Sequence, residues 1–284
     1  MRVLVFGQTG QVARELARRA PSGVTLTQLG RAEADLSDPA ACAAAILASD
    51  AQAVINAAAW TAVDLAETNE PAATVINGDA PATMARACAA KGVPFLHLST
   101  DYVFDGAGTA AFGPDHPTAP LGAYGRSKLR GEQGVMSAGG NALILRTSWV
   151  VSSHGANFVK TMRRLGAERA SLTVVADQIG GPTPAAAIAD ALYTCATAMV
   201  AGAPGGIHHF AGTPDTSWAD FARAIMTAAN LPCQITDIPS TAYPTPARRP
   251  LNSRLDCTSL ARFGLTRPDW RAALPAILHD LETT

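Results

Sequence analysis

Tyr124 and Lys128 are separated by three residues in Tyr124-Gly125-Arg126-Ser127-Lys128, a spacing that puts both side chains on one face of a helix. A phenol is a poor acid–base group near neutral pH, and an ammonium close by favours its phenolate. Upstream, an apolar run leads into Ser99-Thr100-Asp101-Tyr102, where the Thr100 hydroxyl can hold a carbonyl oxygen beside the tyrosine. Thr100, Tyr124 and Lys128 are thus the candidate catalytic set, suited to proton donation onto a ketone as hydride arrives at its carbon. The Y-x-x-x-K spacing alone arises often by chance, and its weight comes from what precedes it.

What precedes it is a phosphate-binding pattern. Gly7-Gln8-Thr9-Gly10-Gln11-Val12-Ala13 follows the apolar run Val3-Leu4-Val5-Phe6 and opens a helix-compatible segment. Gly7 and Gly10 let the backbone approach a pyrophosphate, and Gln11 and Val12 sit at a helix start whose unpaired N–H groups favour an anion. The next strand ends in Leu29-Gly30-Arg31, where NAD-preferring sites carry an acidic residue for the ribose hydroxyls. A cation at Arg31 suits the 2′-phosphate of NADPH, which makes NADPH the expected cofactor and NADH the alternative; Arg31 also reads as an ordinary surface arginine. Asp35 and Leu36 are placed to hold the adenine, and Ala59, Trp60 and Thr61 lie at the rim where the third strand emerges.

These groups need a scaffold that brings several strand ends together. Short apolar runs at 3–6, 24–26, 53–55, 94–98 and 142–145 alternate with longer helix-compatible segments, the rhythm of βαβ units. Asp38-Pro39 reads as a helix cap and first helical residue ahead of an alanine-rich stretch. The expected fold is α/β, a Rossmann-type doubly wound parallel sheet over residues 1–150 with a smaller, loop-rich α/β substrate lobe over 151–284. A late strand near 206–210, followed by a helix capped by Ser217, is expected to return to the main sheet. Clusters of Gly and Pro at 180–182, 202–206 and 243–250 break up the second half.

The 284 residues are 48% hydrophobic and 16% charged, a balance that suits a well-buried globular enzyme and not a disordered chain. A net charge of -1 offers no basic footprint for nucleic acid. The first apolar run is too short for a secretory or membrane segment, so neither a nucleic acid nor a membrane is an expected partner, and the cytoplasm is the expected location. Five scattered cysteines form no C-x-x-C pair and read as reduced structural thiols. His208 and His209, adjacent on a strand, point to opposite faces and cannot chelate one ion.

The segments FGQTGQV, NAAAWTAVD, STDYVFDG, YGRSK, LRTSWV, NFVKTM, DQIGGPT and TAYPTPARRPLNSRLD closely resemble the dTDP-4-dehydrorhamnose reductases, a family of extended short-chain dehydrogenases. The resemblance spans nearly the whole chain. It implies reduction of the 4-keto group of dTDP-4-dehydro-6-deoxy-L-mannose to dTDP-L-rhamnose by NADPH or NADH, the last step of dTDP-rhamnose synthesis. It also implies that Lys128 anchors the nicotinamide ribose, that Asp101 and Trp149 contact the sugar, and that Arg248 or Arg249 clamps the substrate pyrophosphate. Trp60 departs from the histidine expected there. Glu15 and Glu282 resemble remnants of an arrangement in which magnesium bridges two subunits, yet the helix after Thr183 begins Pro184-Ala185-Ala186-Ala187-Ile188 and supplies no third carboxylate. The expectation is no structural metal, with magnesium left open, and a monomer or homodimer. Two rivals remain on this fold. One is an epimerase or dehydratase that retains NAD, although Asp101 alone is present where a dehydratase wants an acidic pair. The other is a non-catalytic regulatory subunit, against which the intact Thr100, Tyr124 and Lys128 argue.

Overall fold

The computed structural model describes residues 1–283. The first half runs β1 (Arg2–Phe6), α1 (Gln11–Arg18), β2 (Thr25–Leu29), α2 (Pro39–Ala48), β3 (Ala53–Asn56), the short α3 (Val63–Ala66) and α4 (Glu70–Thr74), α5 (Ala80–Lys91), β4 (Phe95–Thr100), α6 (Ala123–Met136) and β5 (Ala142–Thr147). The second half runs β6 (Val150–Val151), α7 (Phe158–Glu168), β7 (Ser171–Val175), β8 (Ile179–Gly180), β9 (Thr183–Pro184), α8 (Ala185–Val200), β10 (Gly206–His209), β11 (Thr216–Ser217), α9 (Trp218–Ala228), β12 (Gln234–Ile238), β13 (Asn252–Ser253) and α10 (Trp270–Glu282). Asp38 caps α2 by accepting from the Ala41 amide, and Ser217 caps α9 by accepting from Asp220.

Six parallel strands form the central sheet in the order β10-β5-β4-β3-β1-β2. Period-two alternation explains why its strands are apolar throughout: Val3, Val5, Ile55 and Leu145 face one helical layer with Leu16, Ile188 and Leu192. Leu4, Phe6, Val54 and Ile144 face the other layer with Ile46, Met84 and Cys88. The fold is a doubly wound α/β sheet, as its sequence rhythm predicts. The chain reverses its direction of growth between β1, β2 and β3, so the crevice at the carboxyl ends of β1, β3 and β4 is the place where this architecture binds ligands. A second core, built by Val159, Phe221, Ile225, Trp270 and Leu274 from α7, α9 and α10, lies outside the main sheet under the β7–β12 pair.

His208 and His209 do point to opposite sides: His208 Nδ1 meets the Ser259 hydroxyl at 2.9 Å, and His209 Nδ1 meets the Phe112 carbonyl at 3.0 Å. All five cysteines are buried free thiols.

One buried cluster ties the sheet to the helix that carries Tyr124 and Lys128. Glu132 on α6 receives Arg146 of β5 in a two-pronged pair at 2.9 and 2.6 Å, and the Ser99 hydroxyl of β4 donates to the same carboxylate at 2.5 Å. The arginine and glutamate side chains are 3% and 2% exposed. Removing one member of such a pair strands a charge in the interior. Arg146→Met is therefore expected to cost about 3–5 kcal/mol in urea unfolding, far more than loss of an exposed pair. A cost below about 1 kcal/mol would show that Glu132 finds water or another partner.

Candidate active site

The glycine turn after β1 is built for close approach. Gly7 adopts φ +121°, its amide donates to Leu29 O at 2.8 Å, and a Cβ there would sit 3.3 Å from the Ala57 carbonyl. Only glycine takes this backbone without strain. Gly10 is the N-cap of α1 and offers no side-chain cap, so the first amides of α1 remain available to an anion. This cradle fits a dinucleotide pyrophosphate. The Gln11 side chain is engaged within the protein, which leaves only its backbone free to face the cradle: Nε2 donates to Val150 O, and Oε1 accepts from Ser152 Oγ at 2.8 Å and Asn157 Nδ2 at 3.0 Å. Val12 is buried in the core beside Leu16.

At the end of β2 Arg31 is 87% exposed, with Asp35 3.9 Å away. The Asp35 carboxylate accepts from the Ser37 amide, which together with the nearby Arg31 holds it below its usual range against a small burial effect. Leu36 is buried against Phe6 and Ile46, so it lines the layer and not the solvent side. Glu33, to which the sequence gives no evident role, accepts the Gly30 amide at 2.8 Å at the end of β2.

At the end of β3, Ala59 and Thr61 are exposed and Trp60 is half-buried. Asn77, in a π-helical turn at Val75–Asp79, accepts from the Trp60 amide at 2.8 Å and donates to Trp60 O and to Ser127 Oγ of α6 at 3.0 Å. Insertions of this kind recur at functional sites. Nothing in the periodicity of the segment signals Asn77.

Thr100, Asp101 and Tyr124 meet at the carboxyl end of β4. The Thr100 hydroxyl donates to Asp101 Oδ1 at 3.1 Å and accepts from the Tyr102 amide at 3.2 Å, and the Tyr124 hydroxyl lies within its hydrogen-bonding reach. Gly125 makes this possible, since a Cβ would fall 2.2 Å from Tyr102 O. Glu67 finishes the arrangement by accepting the Ala123 amide at 2.9 Å, standing in for the side-chain cap that Gly122 cannot provide. Burial raises the Tyr124 phenol well above its ordinary value, with the Asp101 charge adding to the rise and the Thr100 hydrogen bond opposing it. Asp101 is 3% exposed and is pushed up to about 6 by burial, against the nearby hydroxyls of Ser253 and Thr100. Its Oδ2 is buried and unpaired, as is Oγ1 of Thr147, the register partner of Thr100 in β5.

Lys128 differs from the expected geometry. Its Nζ donates to Leu98 O at 2.6 Å and lies 3.3 Å from His97 Nε2, deep under β4, instead of reaching the phenol. Lys128 is thus not placed to hold a phenolate, and desolvation of Tyr124 favours its neutral form.

The remaining site residues sit on the second half of the chain. Trp149 takes φ +49°, uncommon for a bulky residue, and its ring stacks on Trp218 at 3.6 Å and 12°. Trp218 follows the Ser217 cap and was not singled out from the sequence. The two arginines separate clearly: Arg249 Nη2 donates to Asp64 Oδ2 at 2.7 Å and its guanidinium reaches the Tyr102 hydroxyl, whereas Arg248 is exposed and has no ion pair among the described residues. Asp64 also accepts the Ala247 amide, so α3 holds this strap in place. Glu15 is 2% exposed and paired with Arg18 and with His154, and Glu282 lies 3.8 Å from Arg163. Among the described residues no three His, Cys, Asp or Glu side chains converge as a metal site, and no helix is long and apolar enough to cross a membrane.

The chain matches the family model described as RmlD substrate binding domain over residues 1–283. It is 44% identical to the dTDP-4-dehydrorhamnose reductase of Burkholderia thailandensis, with 99% of each chain covered. Its fold superposes on a dTDP-4-dehydrorhamnose reductase from Clostridium acetobutylicum with a TM-score of 0.93, at 30% identity and covering 99% and 100% of the two chains. A second reductase of that name, from Bacillus anthracis in complex with NADP, gives a TM-score of 0.92 at 31% identity, covering 98% and 99%. With the glycine cradle, the Thr100–Tyr124 pair and the Trp149 lobe spread over its whole length, this chain belongs to the RmlD family of dTDP-4-dehydrorhamnose reductases.

Proposed function

We propose that the chain reduces the 4-keto group of dTDP-4-dehydro-6-deoxy-L-mannose to dTDP-L-rhamnose, with NADPH as the preferred reductant. The observation that carries this reading is the hydroxyl pair at the end of β4, where the Tyr124 hydroxyl lies within reach of Thr100 near the phosphate cradle of β1 and α1. A reduced nicotinamide supplies the hydride. Thr100 orients the ketone oxygen, and Tyr124 gives it a proton as negative charge develops there. Lys128 holds the nicotinamide ribose from below.

Residues beyond about 150 form the nucleotide-sugar side of the crevice. Trp149, braced by Trp218, presents a flat apolar face to the sugar, and Asp101 offers its unpaired Oδ2. Arg248, exposed and unpaired, is the arginine that meets the pyrophosphate, whereas Arg249 serves to hold the strap against Asp64. Arg31 at the end of β2 selects the 2′-phosphate, and the Glu33 carboxylate engaged by the Gly30 amide keeps NADH binding available.

Three measurements test this. Arg31→Ala should raise KM for NADPH by about tenfold, the scale of one lost charged contact, with little change for NADH. Equal changes for both cofactors would remove Arg31 from that role. Purified protein should oxidise NADPH stoichiometrically with the 4-keto dTDP-sugar and more slowly with its UDP counterpart. Tyr124→Phe should lower kcat by about two to four orders of magnitude while NADPH affinity persists. Near-full turnover by that variant in an assay limited by chemistry would transfer the acid role to Asp101 or a bound water.

A further inference from the structure

We propose that His97 is a positioning residue that favours the uncharged amine of Lys128 in the cofactor-free protein, so that in alkaline solution the protein takes up a proton when a nicotinamide dinucleotide binds. The inference rests on the dinucleotide-binding reading given above and adds a proton linkage to it.

The direction of each hydrogen bond follows from one fixed donor. The Ala58 amide can only donate, and it donates to Asn56 Oδ1 at 3.1 Å. That fixes the Asn56 amide, whose Nδ2 lies 3.2 Å from His97 Nδ1 and must be the donor there. His97 Nδ1 is then an acceptor, and the single proton of a neutral imidazole sits on Nε2. Nε2 faces Lys128 Nζ at 3.3 Å, so the lysine nitrogen must accept. An ammonium has no lone pair with which to accept; an amine has one, and it still keeps a hydrogen for Leu98 O at 2.6 Å. Four contacts thus run in one sense, from Ala58 through Asn56, His97 and Lys128 to Leu98 O, and the charged lysine would break the third.

The ring cannot escape by protonation. His97 is fully buried, stacked beside Phe95, and burial drives it well below its ordinary value, a fall that any charge on Lys128 would deepen. Lys128 is 2% exposed and burial brings it down to about 8, with Glu132 opposing. Among the groups packed around it, Asn56 from β3 is uncharged. Glu132, one turn along α6, has its charge taken by Arg146 of β5 and Ser99 of β4. Asp101 at the end of β4 accepts from the Thr100 hydroxyl at 3.1 Å, and the Tyr124 hydroxyl of α6 lies near Thr100.

Binding a dinucleotide asks something different of Lys128. Ribose hydroxyls and the phenol oxygen are best met by an ammonium with three donors, so the bound state raises the affinity of this nitrogen for a proton. The sign follows: between about 8 and the higher bound value, binding takes up a proton, and dinucleotide affinity falls as pH rises through that window. Near pH 6.5 both states already hold the proton and uptake vanishes.

Isothermal titration calorimetry with NADPH in buffers of different ionisation enthalpy reads this directly. The wild-type protein should take up close to one proton at pH 9 and almost none at pH 6.5, with Kd rising toward about tenfold per pH unit above 8. Lys128→Met should abolish the uptake. His97→Phe keeps the ring beside Phe95 but deletes the Nε2–H donor, so Lys128 should stay charged to higher pH and uptake at pH 8.5 should fall below about half that of wild type. A merely structural role for His97 would lower affinity without moving this pH dependence. Imidazole 15N spectra of the unmodified protein supply an independent reading, a neutral ring protonated on Nε2. Binding without proton uptake at pH 9, an unchanged pH profile in His97→Phe, or an Nδ1-protonated ring would each overturn the proposal. Absence of NADPH binding at every pH would overturn the dinucleotide reading itself.

Discussion

Two ionisable groups one turn apart on a single buried helix face, Lys128 and Glu132, govern this molecule. Lys128 and Glu132 are both 2% exposed, and each must be satisfied by groups that the sheet delivers. Burying an ion without partners costs several kcal/mol, so the positions of those partners are not free to drift. Glu132 is met by Arg146 and Ser99, and Lys128 by Leu98 O and His97. These contacts register α6 against β4 and β5, and they place Tyr124 at the first turn of the helix, opposite Thr100. Glu67 and the close packing of Gly125 on Tyr102 O fix that turn from the other side. The acid of the proposed reaction is held by the polar cluster beneath it together with its own edge-on packing against Tyr102 and its closeness to Thr100.

The same sheet sets the cofactor and substrate sides. Parallel strands end together, so Gly7 after β1, Trp60 after β3, Thr100 after β4 and Trp149 after β5 share one rim although they are far apart in sequence. The second lobe adds an aromatic stack from Trp149 through Trp218 to Phe158 and Phe221, which carries the strained Trp149 backbone on a packed base. Asp64 links the two halves through Arg249 and the Ala247 amide.

The motifs that act locally were legible in the chain. Gly7 and Gly10, Ser99 to Asp101, and Tyr124 to Lys128 carry their meaning in their spacing, and the apolar runs that surround them announce the sheet. Groups that act through distant partners were not. His97 lies inside Phe95-Leu96-His97-Leu98 and reads as one polar residue in a core strand; only the arrival of Asn56 and Lys128 from other elements gives it a role. Asn77, Glu132 with Arg146, Trp218 and Asp64 share that fate, since each bond spans a gap that periodicity cannot see. A signal did exist: polar residues in strands that are otherwise apolar must find partners when buried. The expected adjacency of Lys128 to Tyr124 failed for a related reason, because helix spacing gives a shared face and not the direction of a long flexible side chain.

The account as a whole requires that reducing equivalents pass from a dinucleotide seated on Gly7 to a ketone held by Thr100 and Tyr124, with the oxidised cofactor released at each turnover. Turnover of the 4-keto dTDP-sugar with NADPH carrying deuterium at nicotinamide C4, followed by mass and NMR analysis of the sugar, tests this most directly. The account predicts one deuterium at sugar C4 when the label lies on the face presented to substrate, one NADP released per sugar, and loss of both in Tyr124→Phe. Product lacking the label at C4 from either labelled face, or sugar conversion without net NADPH consumption, would contradict it and place the chain with enzymes that retain their cofactor.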